Sequence, residues 1–347
     1  MKLGRALGLM GLALLGGNTA RAHHGTATNR LGIQSTGRSF DVGADCPKLC
    51  FLSEVRLGLS HFGRVREGTR TLSRADLGRV TIGTLTPSLK LELKSGTRLS
   101  LVVPLGLSLV TPEGASELLR AGFGDVEAWV LQDLPRLGRG ERFRWRLGVG
   151  LRLATGRHEV NTNLSLIEVT PRENGQLEVD SFDTRATLGA GSTAFLASSQ
   201  WLFEMHQRWR IGLTSMLAQP LHRTRDQILW GRDLTVQASL DWSALPDRLG
   251  LQAGLALDRH GLDEIPAERD EAGPSRQRTG GRNELATRLD LWGRPGEGVL
   301  CRLGFRIPVF QDVGGIQLVE VFSVDAGCGI RLGGSTKGDE ARSRGDT

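Results

Sequence analysis

The chain has 347 residues, a formal net charge of +6 and a mean hydropathy of −0.19. After the first 22 residues no apolar run is long enough to cross a bilayer as a helix, which argues against membrane helices. Lys2, Arg5 and Arg21 supply three of the positive charges and lie in a segment that we expect to be removed. The remaining charge of about +3 is too small to indicate a nucleic-acid partner.

The first 22 residues have the form of a secretory signal peptide. Two basic residues precede an apolar stretch at 6–15, and the segment ends in the small-residue site Ala20-Arg21-Ala22. The apolar stretch is too short to span a bilayer. An exported chain with no membrane helix is a periplasmic protein, a secreted protein or an outer-membrane barrel.

Strands with one apolar face recur along the rest of the chain. The clearest is at 143–153, where Trp145 and Leu151 alternate with Arg144 and Arg152. This pattern predicts an all-β fold, an antiparallel transmembrane β-barrel of about 12 strands, with charged residues facing inward. The predicted strands lie at about 52–65, 78–93, 98–110, 122–135, 143–153, 185–205, from 209, 234–242, 249–257, 285–291, 299–311 and 317–332.

The connections between these strands support the barrel. Short turns alternate with longer segments, which is typical of outer-membrane barrels with short periplasmic turns and long outer loops. The alternative is a soluble β-sandwich, whose strands also alternate, but which would place far fewer polar residues on its inner faces. The longer segments lie at about 66–77, 111–121, 156–183, 223–232 and 260–282.

The last predicted hairpin has a register that can be derived from its pattern. In the run at 299–311 the odd positions are apolar, and in the run at 317–332 the even positions are. Folding the two runs about Gly314-Gly315 places residue i opposite residue 629 − i. Because directly opposed residues share a face, this register gives a nearly continuous apolar outer surface, broken mainly by Glu320.

The four cysteines form two candidate pairs. Cys301 and Cys328 are directly opposed in the predicted hairpin, either as a disulfide or as two small lipid-facing residues. The register predicts a hydrogen-bonded site for this pair, with Cα atoms about 5.5 Å apart. Cys46 and Cys50 are close in sequence, and in an exported protein this spacing favours a disulfide over a metal site.

The sequence therefore divides into four segments. We predict a signal peptide at 1–22, a periplasmic lead-in at 23–51, the outer-membrane barrel at 52–332 and a polar C-terminal tail at 333–347.

Four short segments resemble the outer-membrane barrel family named after the meta-pathway of phenol degradation. They are Gly122-Phe-Gly-Asp-Val126, Leu153-Ala-Thr-Gly156, Leu188-Gly-Ala-Gly-Ser192 and the run at 308–317. The similarity covers most of residues 50–332 and implies an outer-membrane barrel with a transport role, without implying a substrate. The chain departs from related barrels in ending its last strand at Leu332 instead of at a terminal aromatic residue.

The charged residues predicted to face the barrel interior are the candidate functional residues. A ring of arginines in a lumen would favour anions. The alternative is a ladder of paired charges that fills a narrow lumen, because Asp258, Glu284, Asp290 and Asp325 are also predicted to face inward. The lumen-lining candidates are Arg144, Arg146, Arg152, Arg210, Arg302, Arg306, Asp233 and Asp241.

These features predict a monomeric outer-membrane channel or transporter for small apolar or anionic molecules. We expect it to contact outer-membrane lipid and the barrel-assembly machinery, and to bind no nucleic acid, cofactor or metal. The alternative is a non-conducting structural or surface-interaction barrel with a charge-filled lumen. An enzyme is not expected, because the seven histidines fall mostly in loops or ends and none has a recognisable Ser or Asp partner spacing.

Overall fold

The computed structural model describes residues 49–72, 79–93, 95–111, 118–134, 142–156, 169–171, 177–179, 189–206, 208–225, 227–245, 248–266, 276–279 and 281–332. The predicted signal peptide, Cys46 and the predicted tail lie outside these residues. No helix among the described residues is both long and apolar enough to cross a membrane.

The described residues form an all-β structure. Most strands belong to one antiparallel sheet, and two small hairpins, β9–β10 and β15–β16, lie outside it. The strands are β1 (Leu49–Gly68), β2 (Arg70–Leu72), β3 (Arg79–Leu93), β4 (Thr97–Val102), β5 (Leu105–Thr111), β6 (Leu118–Phe123), β7 (Val126–Asp133), β8 (Phe143–Leu153), β9 (Val169–Pro171), β10 (Leu177–Val179), β11 (Ala194–His206), β12 (Trp209–Pro220), β13 (Asp233–Leu245), β14 (Leu249–His260), β15 (Asp263–Pro266), β16 (Arg276–Thr279), β17 (Arg282–Gly296) and β18 (Val299–Leu332).

The large sheet closes on itself as a 12-stranded antiparallel barrel. β4 continues into β5 and β6 into β7, so each of these two pairs forms one barrel strand. β18 folds back on itself and supplies the last two strands: its outgoing half pairs with β17 and its returning half pairs with β1. β1 thus has a neighbour on each side, the returning half of β18 and β3, so the sheet has no open edge between its first and last strands. The predicted all-β barrel of about 12 strands is confirmed.

Several strand boundaries differ from the sequence prediction. The strand expected at 98–110 is interrupted at Val103-Pro104, where Pro104 has no N–H to donate to a ladder. Its carbonyl instead accepts a 2.7 Å hydrogen bond from the backbone N–H of Gly124, across a matching interruption between β6 and β7. The strand expected to begin near residue 185 begins at Ala194. β1 begins at Leu49, slightly before the predicted start.

The outer face of the barrel is apolar and the inner face is polar. Outward-facing Leu57 is 59% exposed and Leu255 is 52% exposed, whereas the charged residues between the apolar positions are largely buried. Aromatic rings cluster at the end of the barrel with the short turns, where Trp145 stacks on Trp201 with ring centroids 4.7 Å apart. An apolar belt with aromatic residues at its margin matches the exterior that a bilayer requires.

Two bulges in β18 change which residues face inward. Val309 is an extra residue opposite β17, because Leu285 pairs with Phe310 and the next residue pairs with Pro308. Val321 is an extra residue opposite β1, because His61 pairs with Phe322 and the next residue pairs with Glu320. An extra residue shifts the alternation of side chains by one position. The interpretation of Glu320 as an outward-facing residue was therefore wrong: Glu320 is buried in the interior.

A disulfide joins the two halves of β18. Cys301 and Cys328 are bonded, with Cα atoms 4.1 Å apart, which matches the register derived from the sequence pattern. A backbone hydrogen bond from Arg331 to Gly298 lies three pairs away, so the cysteines occupy a non-hydrogen-bonded pair and not the hydrogen-bonded site that we expected. Cys50 is also disulfide-bonded.

The inward and outward faces of β8 generate a stability prediction. Leu151→Arg places a charge in the apolar belt and should lower the free energy of unfolding by about 2–4 kcal/mol near the bilayer midplane. Arg152→Leu should also destabilise the protein, by about 3–5 kcal/mol, because it leaves the buried Glu127 carboxylate without the Arg152 guanidinium. Urea unfolding of the protein in lipid vesicles measures both effects.

A second substitution separates the two faces. Glu127→Gln should restore much of the stability lost in Arg152→Leu, because no buried carboxylate then remains, and should do nothing for Leu151→Arg. Equal rescue of both variants, or of neither, would contradict the assigned faces.

Candidate functional site: the charged barrel interior

A group of almost completely buried charges surrounds Arg306, on the outgoing half of β18. The Arg306 guanidinium lies 2.5 Å from Glu320 Oε1 and 2.7 Å from Asp258 Oδ2, and it also contacts Glu284. These four residues, which we call the Arg306 cluster, come from β14, β17 and both halves of β18. None is more than 4% exposed. One guanidinium therefore binds three carboxylates from different strands.

Polar side chains around the Arg306 cluster satisfy further carboxylate oxygens. Gln311 Nε2 donates 2.9 Å hydrogen bonds to Glu284 Oε2 and to the backbone carbonyl of Glu320. Thr235 Oγ1 donates a 2.6 Å bond to Asp258 Oδ1. The two bulges of β18 turn Gln311 and Glu320 toward Arg306, so the cluster depends on the bulges. Buried polar networks of this kind stabilise a structure only when their members are satisfied.

A second cluster has equal numbers of cations and carboxylates. Arg288 binds Asp290 at 2.8 Å and Asp325 at 2.5 Å. Arg302 lies 2.9 Å from Asp325 Oδ2 and 3.5 Å from Asp290 Oδ1. This arrangement, which we call the Arg288 cluster, uses the predicted candidate Arg302 as one of two guanidinium groups that face two carboxylates.

The other candidate arginines form ion pairs outside these two clusters. Arg152 Nε is 3.0 Å from Glu127 Oε1, and Arg146 Nε is 2.5 Å from Asp133 Oδ1. Arg144 and Arg210 both approach Glu204, at 3.8 and 3.3 Å. The six candidate arginines therefore do not form one ring. Each of them has a carboxylate beside it, which reduces the positive potential that a ring would produce.

The two candidate aspartates have different neighbours. Asp233 Oδ1 is 2.6 Å from His260 Nδ1, and the other ring nitrogen of His260 is 2.9 Å from Asp263 Oδ1. A protonated imidazole can donate from both nitrogens in this geometry. Asp241 instead accepts a 3.0 Å hydrogen bond from Trp292 Nε1. Neither aspartate joins the Arg306 cluster.

Part of the interior is apolar. Trp129 on β7, Leu196 on β11 and Ala218 on β12 form a buried cluster, against which Leu131 and Met216 pack. The polar interior therefore includes an apolar patch on these strands.

Three of the short sequence motifs meet at one carboxylate. Asp125 is fully buried; its Oδ1 accepts a 2.9 Å hydrogen bond from the backbone N–H of Gly156, and its Oδ2 accepts a 2.7 Å bond from that of Ala190. Trp230 Nε1 donates to the carbonyl of Ala190. Asp125 thus ties the break between β6 and β7 to the end of β8 and the start of β11.

The glycines of these motifs are required by the close approach of the backbones. A Cβ built on Gly156 would lie 2.6 Å from the Cα of Gly189 and 2.8 Å from Asp125 Oδ1. The motifs share this contact, which we call the Asp125 node, and their sequences alone do not reveal it. The available signal was an aspartate beside glycines in one segment, together with glycines in the two others.

The part of the chain that the structure describes contains no group of three or more His, Cys, Asp or Glu side chains placed to hold a metal ion.

Comparison with solved structures gives similarity at the level of the fold. An outer-membrane channel from Pseudomonas putida F1 matches with a TM-score of 0.62 and 12% sequence identity, over 83% of this chain and 97% of that one. The NanC porin matches at 0.42 and 8% identity, over 81% and 100% of the two chains. A Pseudomonas aeruginosa FadL homologue matches at 0.36 and 11%, over 89% and 97%.

The last two scores are below 0.5, so the first comparison alone bears on the architecture, and it shows a shared barrel fold. No protein-family model and no curated protein matches the chain.

The Asp125 node generates a second stability prediction. Asp125→Ala removes the acceptor of two backbone N–H groups, so we expect a loss of about 2–4 kcal/mol in the free energy of unfolding. Asp125→Asn keeps one acceptor oxygen and should lose about half as much. Tryptophan fluorescence during urea unfolding measures the change. Glu297→Ala, at an exposed turn, is the control. An Asp125→Ala protein as stable as the unmodified chain would show that the node does not stabilise the barrel.

Proposed function

We propose that this chain is an outer-membrane channel for small solutes. The observation that carries the proposal is a closed barrel with an apolar outer face and an interior lined by ionised side chains, including the Arg306 and Arg288 clusters. An ion-lined interior is typical of barrels that carry solutes through a polar lumen. The neighbour from Pseudomonas putida F1 is an outer-membrane channel, which supports this proposal.

The cellular location is part of the same proposal. The signal-peptide pattern at 1–22 and the exposed apolar belt together support export to the outer membrane. The predicted contacts with outer-membrane lipid follow from that belt. An enzymatic function is not part of the proposal.

The geometry supports one of the two solute classes expected from the sequence more than the other. An anion-selective ring of arginines receives no support, because the candidate arginines are matched with carboxylates. Apolar solutes receive some support from the apolar interior patch around Trp129 and Leu196.

The second candidate is a barrel without transport. One observation favours it: the inward-facing charges on β14, β17 and β18 are almost completely buried and paired with one another. Side chains that fill a lumen leave no continuous path for water. Such a barrel would serve as a structural or surface-interaction protein.

Planar-bilayer recording of the refolded, full-length chain separates the two candidates. A channel gives discrete conductance steps, and we expect small steps because a barrel of 12 strands is narrow and this one is crowded with side chains. Heat-modifiable migration in electrophoresis checks that the barrel has refolded. A refolded barrel that gives no steps would contradict the channel and support the structural role.

A further inference from the structure

The balance of charge inside the barrel is not the same at every level. In the Arg288 cluster two guanidinium groups face two carboxylates. In the Arg306 cluster one guanidinium faces three carboxylates. Even with Glu284 left aside, Asp258 and Glu320 outnumber the one cation to which both bind. The Arg306 cluster therefore carries excess negative charge.

We propose that the lumen of this barrel admits cations in preference to anions, and that the carboxylates bound to Arg306 determine this preference. The inference rests on the proposed channel function and adds its substrate class. It reverses the preference that the arginines alone would predict.

The position of the Arg306 cluster gives its charge a large effect. It lies level with outward-facing Phe305 and Ile307, so it is inside the apolar belt and not at a rim. Its members are nearly inaccessible to water, and charges in such surroundings are screened much less than charges at a surface. A narrow passage with low-dielectric walls concentrates the field of the charges that line it.

The short-turn end of the barrel has the opposite balance and a weaker effect. There Arg144 and Arg210 share Glu204, which leaves a positive excess. The Arg144 side chain is 35% exposed, so solvent and salt screen its charge. The positive rim and the buried negative cluster lie at different levels of the lumen, so a solute that crosses it passes both. The Arg306 cluster, whose members are at most 4% exposed, is screened less than this rim and is expected to outweigh it.

The bulge at Val321 enlarges the negative excess of the Arg306 cluster. With regular alternation Glu320 would face lipid, and the cluster would contain Asp258 and Glu284 alone beside Arg306. The bulge places the additional carboxylate inside, 2.5 Å from the guanidinium. Glu320 is thus the residue whose charge tests the proposal most directly.

The test is the reversal potential of the refolded, full-length protein in a planar bilayer under a KCl gradient. The expected sign is that of a pore more permeable to potassium than to chloride. Glu320→Gln removes one charge while keeping side-chain volume, and should shift the reversal potential toward zero. The matched control, Glu297→Gln, removes a charge from an exposed turn and should leave the reversal potential unchanged.

A second variant keeps the test decisive if Glu320→Gln does not refold. Asp258→Asn removes the charge of another carboxylate in the same cluster and should shift the potential in the same direction. Conductance steps with a chloride preference, or a potential that neither variant shifts, would overturn the cation preference and leave the channel function standing. A refolded barrel with no conductance would overturn the channel function, and the preference with it.

Discussion

A strand in a bilayer must satisfy its backbone hydrogen bonds with other strands and must keep its charged side chains away from lipid. Most of this structure follows from that constraint. The first strand pairs with the last, so that the sheet has no open edge at its closure. The charged side chains of the strands must therefore face the interior. There they need oppositely charged or hydrogen-bonding partners, because water is scarce.

In the interior, the buried charges are neutralised mainly by ion pairs between strands. Arg306 draws together β14, β17 and both halves of β18, and the Arg288 cluster lies on the same wall. The same ion pairs that make the closed barrel stable also reduce the space and the net charge available to a solute. If the proposed channel function holds, transport and closure compete for the same side chains, and the proposed ion preference depends on the charge around Arg306. At the Asp125 node, backbone N–H groups take the place of cations, and a buried carboxylate serves only to position the strands.

Regular alternation made most of the barrel predictable. β8 alternates without interruption, so its inward arginines and outward apolar residues could be assigned directly, and the register of Cys301 with Cys328 followed from the two runs of β18. The bulges could not be placed, because one inserted residue leaves no change in composition. Two signals did exist: Pro308 in a strand, and a glutamate at a position assigned to lipid.

The meeting of three carboxylates at Arg306 was also beyond the sequence, because they come from β14, β17 and the returning half of β18. The contact between Asp125 and Ala190 shows the same limit, because a backbone donor has no signature in the residue type.

The central claim is that the bulge at Val321 turns Glu320 inward onto Arg306. A double-mutant cycle with Arg306→Gln and Glu320→Gln, measured as free energies of unfolding in lipid vesicles, tests it directly. Because the two side chains are in contact, the account predicts a coupling energy of more than about 1 kcal/mol. If the two losses add to within about 0.5 kcal/mol, Glu320 does not contact Arg306 and the assigned interior is wrong.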